Sequence, residues 1–210
     1  ADSQVYDLTQ PYSIWNLQRG KKIPKYIRIP KFSLKKKANL TDVLNSNHIN
    51  SSFLILCNDT FLGIIQRFRI PDVEILPVDI AFKETQVKYN LLNFIESQDN
   101  LIDFNGSEFV LNQKGQPEGV NKQPSLIPIQ SLDEYLIEKE NNKIITKKIK
   151  LNNHLDYDLF RLSIGKAYFL VSEDLKKALS KEELTGFSFY TPRIDENVFI
   201  MDGRISIGEI

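Results

Sequence analysis

The residues of this chain that could do chemistry are few. His154, Asp156 and Asp158 stand at i, i+2 and i+4, which on an extended strand is one face, and their types are those that ligate divalent metals. Three ligands along one strand converge poorly on a single ion, and a solvent-facing polar strand has the same letters, so no metal is expected. Cys57, the only cysteine, could be a nucleophile with His48 or His154 as its base. It closes the apolar run FLILC at 53–57, where a free thiol is ordinarily a small buried hydrophobe. Asp99 and Asp103 flank a turn and are expected to hold backbone N–H groups rather than do acid/base work. The sequence has no phosphate-cradling glycine loop, no CxxC, no HExxH and no nucleophile elbow. It is therefore read as a non-enzyme, with no catalytic residue, metal or cofactor.

The elements around these residues are organised by the stretch YFLVSEDLKKALSKEELTGFSFY at 168–190. A short β-prone run leads to Ser172, placed to cap a helix that begins at Glu173. Glu173 and Asp174 suit the positive end of that helix, and Lys176 and Lys177 lie nearer its negative end. Leu175, Ala178 and Leu179 make one apolar face. Gly186 turns the chain into the alternation of Phe187, Ser188 and Phe189, a half-buried strand.

The same pattern occurs 114 positions earlier. There Asn58 takes the place of Ser172, Phe61, Ile64 and Ile65 take the places of the helix face, and Val73 and Ile75 those of the second strand. Two strand-helix-strand units, repeated in pattern more than in identity, are the expectation.

Elsewhere the reading is coarser. Residues 5–17 are an irregular or edge segment that docks Trp15, 26–29 form an edge strand between prolines, and Thr41 and Asp42 cap a brief helix through Leu44. The first unit has its strand at 53–57 and its helix at 59–68, then a strand at 73–82 interrupted at Pro77. Residues 87–95, apolar on both faces, form a buried strand. Strands at 101–104 and 108–111 pair around a type I′ turn at Asn105-Gly106. The Gly-, Pro- and Asn-rich stretch 113–125 is a loop, so the chain is one domain that could comprise two lobes, 1–112 and 126–210. Residues 131–150 read as exposed strands, 156–164 as a strand leading into the second unit, and Asp202-Gly203 as a hairpin turn. The fold class is α+β, mainly antiparallel strands with few short helices.

Composition narrows the function further. At 41% hydrophobic and 26% charged, the chain is that of a soluble globular protein. The net charge is zero but uneven. Arg19, Lys21, Lys22, Lys25, Arg28, Lys31, Lys35, Lys36 and Lys37 form a basic segment without an acidic residue. That segment is either a nucleic-acid contact or a solvated edge folding back on acidic neighbours, and the scarcity of interleaved aromatics favours the edge. The lone cysteine excludes an intrachain disulfide and favours a reducing compartment, and no apolar run approaches the length needed to cross a bilayer. A cytoplasmic location is expected.

Three blocks in order carry a resemblance: VEILPVDI (73–80), YNLLNFIESQDNLIDFNGSEF (89–109) and LFRLSIGKAYFLVSEDLKKALSKEELTGFSFY (159–190). The chain resembles a bacterial family of immunity proteins from polymorphic toxin systems, formerly catalogued as a domain of unknown function. The matching positions are Tyr89, Asn93, Asp103 and Ser107 in the middle block. In the last block they are the SEDLKKAL and LTGFSF stretches that contain Ser172 and Gly186. The resemblance implies a non-enzymatic cytoplasmic inhibitor that binds a cognate toxin protein, with the matched residues acting as caps and core. The basic segment before residue 38 departs from the pattern and keeps open the alternative, a nucleic-acid-binding protein using residues 19–37.

Overall fold

A computed structural model describes residues 21–25, 29, 32–34, 38–44, 54–111, 126–141, 144–152, 156–164, 168–190 and 198–202. The fold is α+β with mostly antiparallel sheets, and its organising feature is a duplication of connectivity. In the first unit, β2 (Val43–Leu44) and β3 (Leu54–Cys57) lead into α1 (Asp59–Ile65), then β4 (Val73–Phe82) and β5 (Thr85–Phe94). In the second, β9 (Leu159–Leu162) and β10 (Tyr168–Ser172) lead into α3 (Glu173–Lys181), then β11 (Ser188–Tyr190) and β12 (Val198–Asp202). The sheet orders are β4-β5-β3-β2 and β11-β12-β10-β9. In both, the helix carries the chain past a gap that the last strand fills, antiparallel to both neighbours. A two-residue strand, β1 (Phe32–Ser33), extends the first sheet by a parallel pairing with β4.

The predicted caps explain where the helices start. The Asn58 side chain accepts from the Phe61 N–H at 3.0 Å, and the Ser172 hydroxyl from the Leu175 N–H at 3.2 Å. Each occupies one of the N–H groups that a helix start leaves without a partner. Phe61, Ile64 and Ile65 are buried on α1, as Leu175 and Leu179 are on α3. The two helices contribute to one core with Val43, Ile55, Leu92 and Phe94 of the first unit and Leu159 and Val171 of the second. Aromatic contacts cross between the units, Phe94 to Phe169 at 4.9 Å and Phe61 to Phe187 at 5.7 Å between ring centroids.

Each sheet has a second apolar face, covered differently. On the first, Leu56, Val78, Ile80, Tyr89 and Leu91 pack with Ile23 and Phe32 from the segment that precedes the unit. On the second, Phe160, Leu162 and Leu170 pack with residues lying between the two units. That insert contains a 3-10 turn (Asp99–Leu101), β6 (Glu108–Leu111), β7 (Leu126–Ile127), α2 (Leu132–Asn141) and β8 (Ile144–Lys148). Its three strands form a separate sheet in the order β7-β6-β8. The two-sided apolar pattern read at 87–95 has this cause, since Tyr89 and Leu91 face one cluster while Leu92 and Phe94 face the other.

Several expectations are corrected. Residues 131–150 are not all strand, because Leu132–Asn141 is a helix. Ser131 starts it by accepting from the Glu134 N–H at 3.2 Å, while the Glu134 carboxylate takes the Gln130 N–H at 2.7 Å, close to a capping box. Strand β4 runs unbroken through Pro77, which sits opposite Asn90. The ring lacks a donor, so it fits where the ladder asks for none, and on its far side β1 pairs only with Ile80 and Ala81. Val43 and Leu44 are a strand and not a helix, and α1 ends at Ile65 instead of 68. Residues 101–104 do not pair with β6, whose partners are β7 and β8. Nor is Asn105-Gly106 a type I′ turn, since neither residue has the positive φ that turn requires. The expectations for Trp15, the loop at 113–125 and the turn through Gly203 lie outside the described residues.

Candidate functional site

Two aspartates, one at the start of each unit, tie the duplicated halves together. Asp42 precedes β2, and its carboxylate accepts from the Asn58 side-chain amide at 2.8 Å and from the Thr185 N–H and hydroxyl at 2.7 and 2.8 Å. The backbone follows the same route, with Asn58 N–H donating to the Asp42 carbonyl and Val43 N–H to the Thr185 carbonyl. Asn58 caps the helix of its own unit. Thr185 belongs to the turn after the helix of the other.

Asp158 does the same from the second unit. Its carboxylate accepts from the Arg69 N–H at 3.0 Å and from the guanidinium Nε at 3.1 Å and Nη2 at 3.3 Å. Ser172, the cap of α3, donates its N–H to the Asp158 carbonyl at 2.8 Å, and Asp158 N–H donates to the Arg69 carbonyl at 2.7 Å. Each aspartate thus reads the cap of its own helix and the chain leaving the helix of the other unit. Burial works to raise both carboxyl groups, but the hydrogen bonds they accept outweigh it, so both stand below the ordinary aspartate value.

Gly186 lies at this seam. Its φ is +97°, and a β-carbon there would come within 1.8 Å of the Val43 carbonyl oxygen and 2.8 Å of the Thr41 hydroxyl. Only glycine lets the second unit pass this close to the edge of the first. Tyr89, from the same neighbourhood, is buried and donates its hydroxyl to the Thr41 carbonyl at 2.6 Å. Burial, followed by the charge of Asp42, pushes its pKa up to about 12.

The other residues singled out in the sequence are dispersed. Asn93 is buried and donates to the Lys21 carbonyl and the Glu74 carboxylate. Asp103 accepts from the Gly106 N–H at 3.0 Å and pairs with Lys150 at 3.0 Å, which holds its carboxyl below the usual range. Ser107 donates to the Asp103 carbonyl and accepts from the Lys150 N–H. These last two fix the turn into β6, and the tight fit of Gly106 against Lys150 and Asp103 explains that glycine better than turn type does. All six positions of the family resemblance therefore hold backbone or stand where backbones meet.

The candidates for chemistry do not assemble among the described residues. Asp99 is buried, accepting from the Ser163 N–H and hydroxyl and the Ser97 hydroxyl, the backbone-holding role expected of it. Cys57 is fully buried, and burial together with the Asp59 charge drives its thiol pKa up, away from the thiolate that nucleophilic chemistry needs. His48 and His154 lie outside the described residues. Asp158 is committed to Arg69, and no group of metal-ligating side chains is found among the described residues. Of the basic segment, Lys21, Lys22 and Lys25 are exposed, but the chain between them is fastened down. Ile23 is buried, its N–H donating to Glu74 at 2.9 Å.

The seam was not visible in the sequence, because Asp42 finds Thr185 far along the chain. A signal existed nonetheless, since an aspartate precedes the first strand of both units. No helix among the described residues is long and apolar enough to cross a membrane. No family model matches the chain, and no curated protein matches it.

Proposed function

We propose that this chain is a cytoplasmic bacterial immunity protein that neutralises a cognate toxin domain by stoichiometric, non-enzymatic binding. The observation that supports this most is the role of the six positions that carry the resemblance to such proteins. Tyr89, Asn93, Asp103, Ser107, Ser172 and Gly186 each hold backbone or stand where backbones meet, in keeping with the cap and core roles that the resemblance implies. An inhibitor that must outlast a lethal enzyme needs slow dissociation, which calls for an interface of roughly 1,600 Å² or more with a few anchoring side chains. The test is co-expression with the toxin domain encoded beside it in a sensitive bacterium. Survival with a one-to-one complex on gel filtration is the expected outcome; unchanged killing with no complex at micromolar concentrations overturns the proposal.

The alternative, nucleic-acid binding through residues 19–37, is disfavoured by the burial of Ile23 and Phe32 within that segment and by its attachment to Glu74. Replacing Lys35, Lys36 and Lys37 together is expected to leave protection intact. Binding to DNA or RNA at physiological salt that disappears in this triple variant would favour the alternative.

A further inference from the structure

Among the described residues, the duplicated units leave one large apolar side chain exposed, and the insert between them leaves several. The exposed large hydrophobic residues among the described ones are Ile75, Leu126, Leu136, Ile137 and Ile145, and all but Ile75 belong to the insert. Leu136 and Ile137 are neighbours on α2, 46% and 57% exposed. With Asp133 and Glu140 they fall at i, i+3, i+4 and i+7, which is one face of a helix. Leu132 and Tyr135 turn the other way, Tyr135 packing on Phe109 with ring centroids 5.5 Å apart. The fold does not require the outer face to be aliphatic, for α2 has no counterpart in either unit. Its sequence LDEYLIEKEN carries four carboxylates against one lysine. That lysine, Lys139, leans over the Tyr135 ring at 5.6 Å.

We infer that the outer face of α2, formed by Asp133, Leu136, Ile137 and Glu140, is the surface that grips the toxin, and that it fits a basic patch surrounding an apolar recess. This rests on the reading of the chain as an immunity protein. Leu136 and Ile137 supply the part of the contact that excludes water, and the carboxylates flanking them steer a cationic partner and fix its orientation. A nucleic acid is not a candidate for this face, because its phosphates would meet Asp133 and Glu140.

The experiment uses the full chain and the purified toxin domain encoded beside it. Three double variants are compared with wild type, each after a melting curve: Leu136→Ser with Ile137→Ser, Asp133→Lys with Glu140→Lys, and Leu126→Ser with Ile145→Ser. The last pair flanks Val110 on the sheet face opposite Phe109 and hence opposite α2. Expected are melting temperatures near wild type for all three and an affinity at least about tenfold weaker for the first. The second should associate about tenfold more slowly at low salt, with the deficit shrinking as salt rises, while the third binds as wild type does. Should all three variants bind and protect like wild type, the α2 face is overturned while the immunity reading stands. Loss of binding in the Leu126 and Ile145 variant alone has the same consequence. Failure of wild type to bind or protect overturns both. A wild-type dimer that the Leu136 and Ile137 variant converts to monomers, with toxin binding intact, would give the face to a second copy and also overturn the inference.

Discussion

At the scale of single residues, Asp42 and Asp158 decide how the molecule responds to acid. Both carboxylates accept hydrogen bonds in the folded state that they lose on unfolding, so their folded pKa values lie below the ordinary value of 3.8. A group lowered on folding contributes stability that is fully present above its unfolded pKa and is lost as pH falls through its folded one. Asp42→Ala and Asp158→Ala are each expected to lower stability by about 1 kcal/mol near neutral pH, a modest figure because Asp42 is only half-buried and Arg69, the partner of the buried Asp158, is largely exposed. The deficit should shrink toward zero below about pH 4, as wild type loses the same bonds. Denaturant melts at pH 7 and pH 3 check this, and a deficit of constant size at both would mean the side chains matter only by their shape. The local mark was an aspartate before the first strand of each unit, but it acquires its meaning from Thr185 or Arg69, which the fold alone brings near. Cys57 was legible for the opposite reason, since the apolar run that it closes is what buries it.

At the scale of elements, the legible parts were those with local causes. Asn58 and Ser172 announce α1 and α3 because a cap acts within three residues of itself, and the apolar spacing after each is helical. The same signal preceded α2, in Ser131 and Glu134, but the mixture of Leu, Ile and charge that follows concealed it. The outer face of α2 carries Leu136 and Ile137 between its carboxylates where an ordinary amphipathic helix would be polar throughout, and a periodicity argument reads such a segment as ambiguous. Ser172→Ala and Asn58→Ala are each expected to cost about 0.5 to 2 kcal/mol, the usual range for a lost cap. Gly186→Ala should cost more than either, because it adds a clash with the Val43 carbonyl to the strain of a positive φ. Urea unfolding of the three variants ranks them. A Gly186→Ala protein as stable as wild type would mean that the two units are not in contact at this seam.

At the scale of the whole molecule, a constant offset in the sequence revealed that two units exist but not how they meet. Periodicity assigns a residue to a face of its own element and is silent on what that face touches, so β5 entering between β3 and β4 was not legible. Neither was the shared core. That core contains Ile65 of α1 and Leu179 of α3 side by side with residues from both sheets, and neither helix has another apolar layer to retreat to. The two units should therefore unfold together. Ile65→Ala and Leu179→Ala, each at a fully buried position, are expected to destabilise by about 2 to 5 kcal/mol, a range set by how far the site collapses around the lost side chain. The distinguishing measurement is where the loss is felt. If the core is shared, hydrogen exchange under native conditions shows Ile65→Ala weakening protection in β10 as much as in β3, and Leu179→Ala weakening β3 as much as β10, since both strands open only with the whole. Weakening confined to the mutated unit, or two separate transitions on heating, would mean that the halves fold independently and that the aspartate seam joins finished domains instead of completing one.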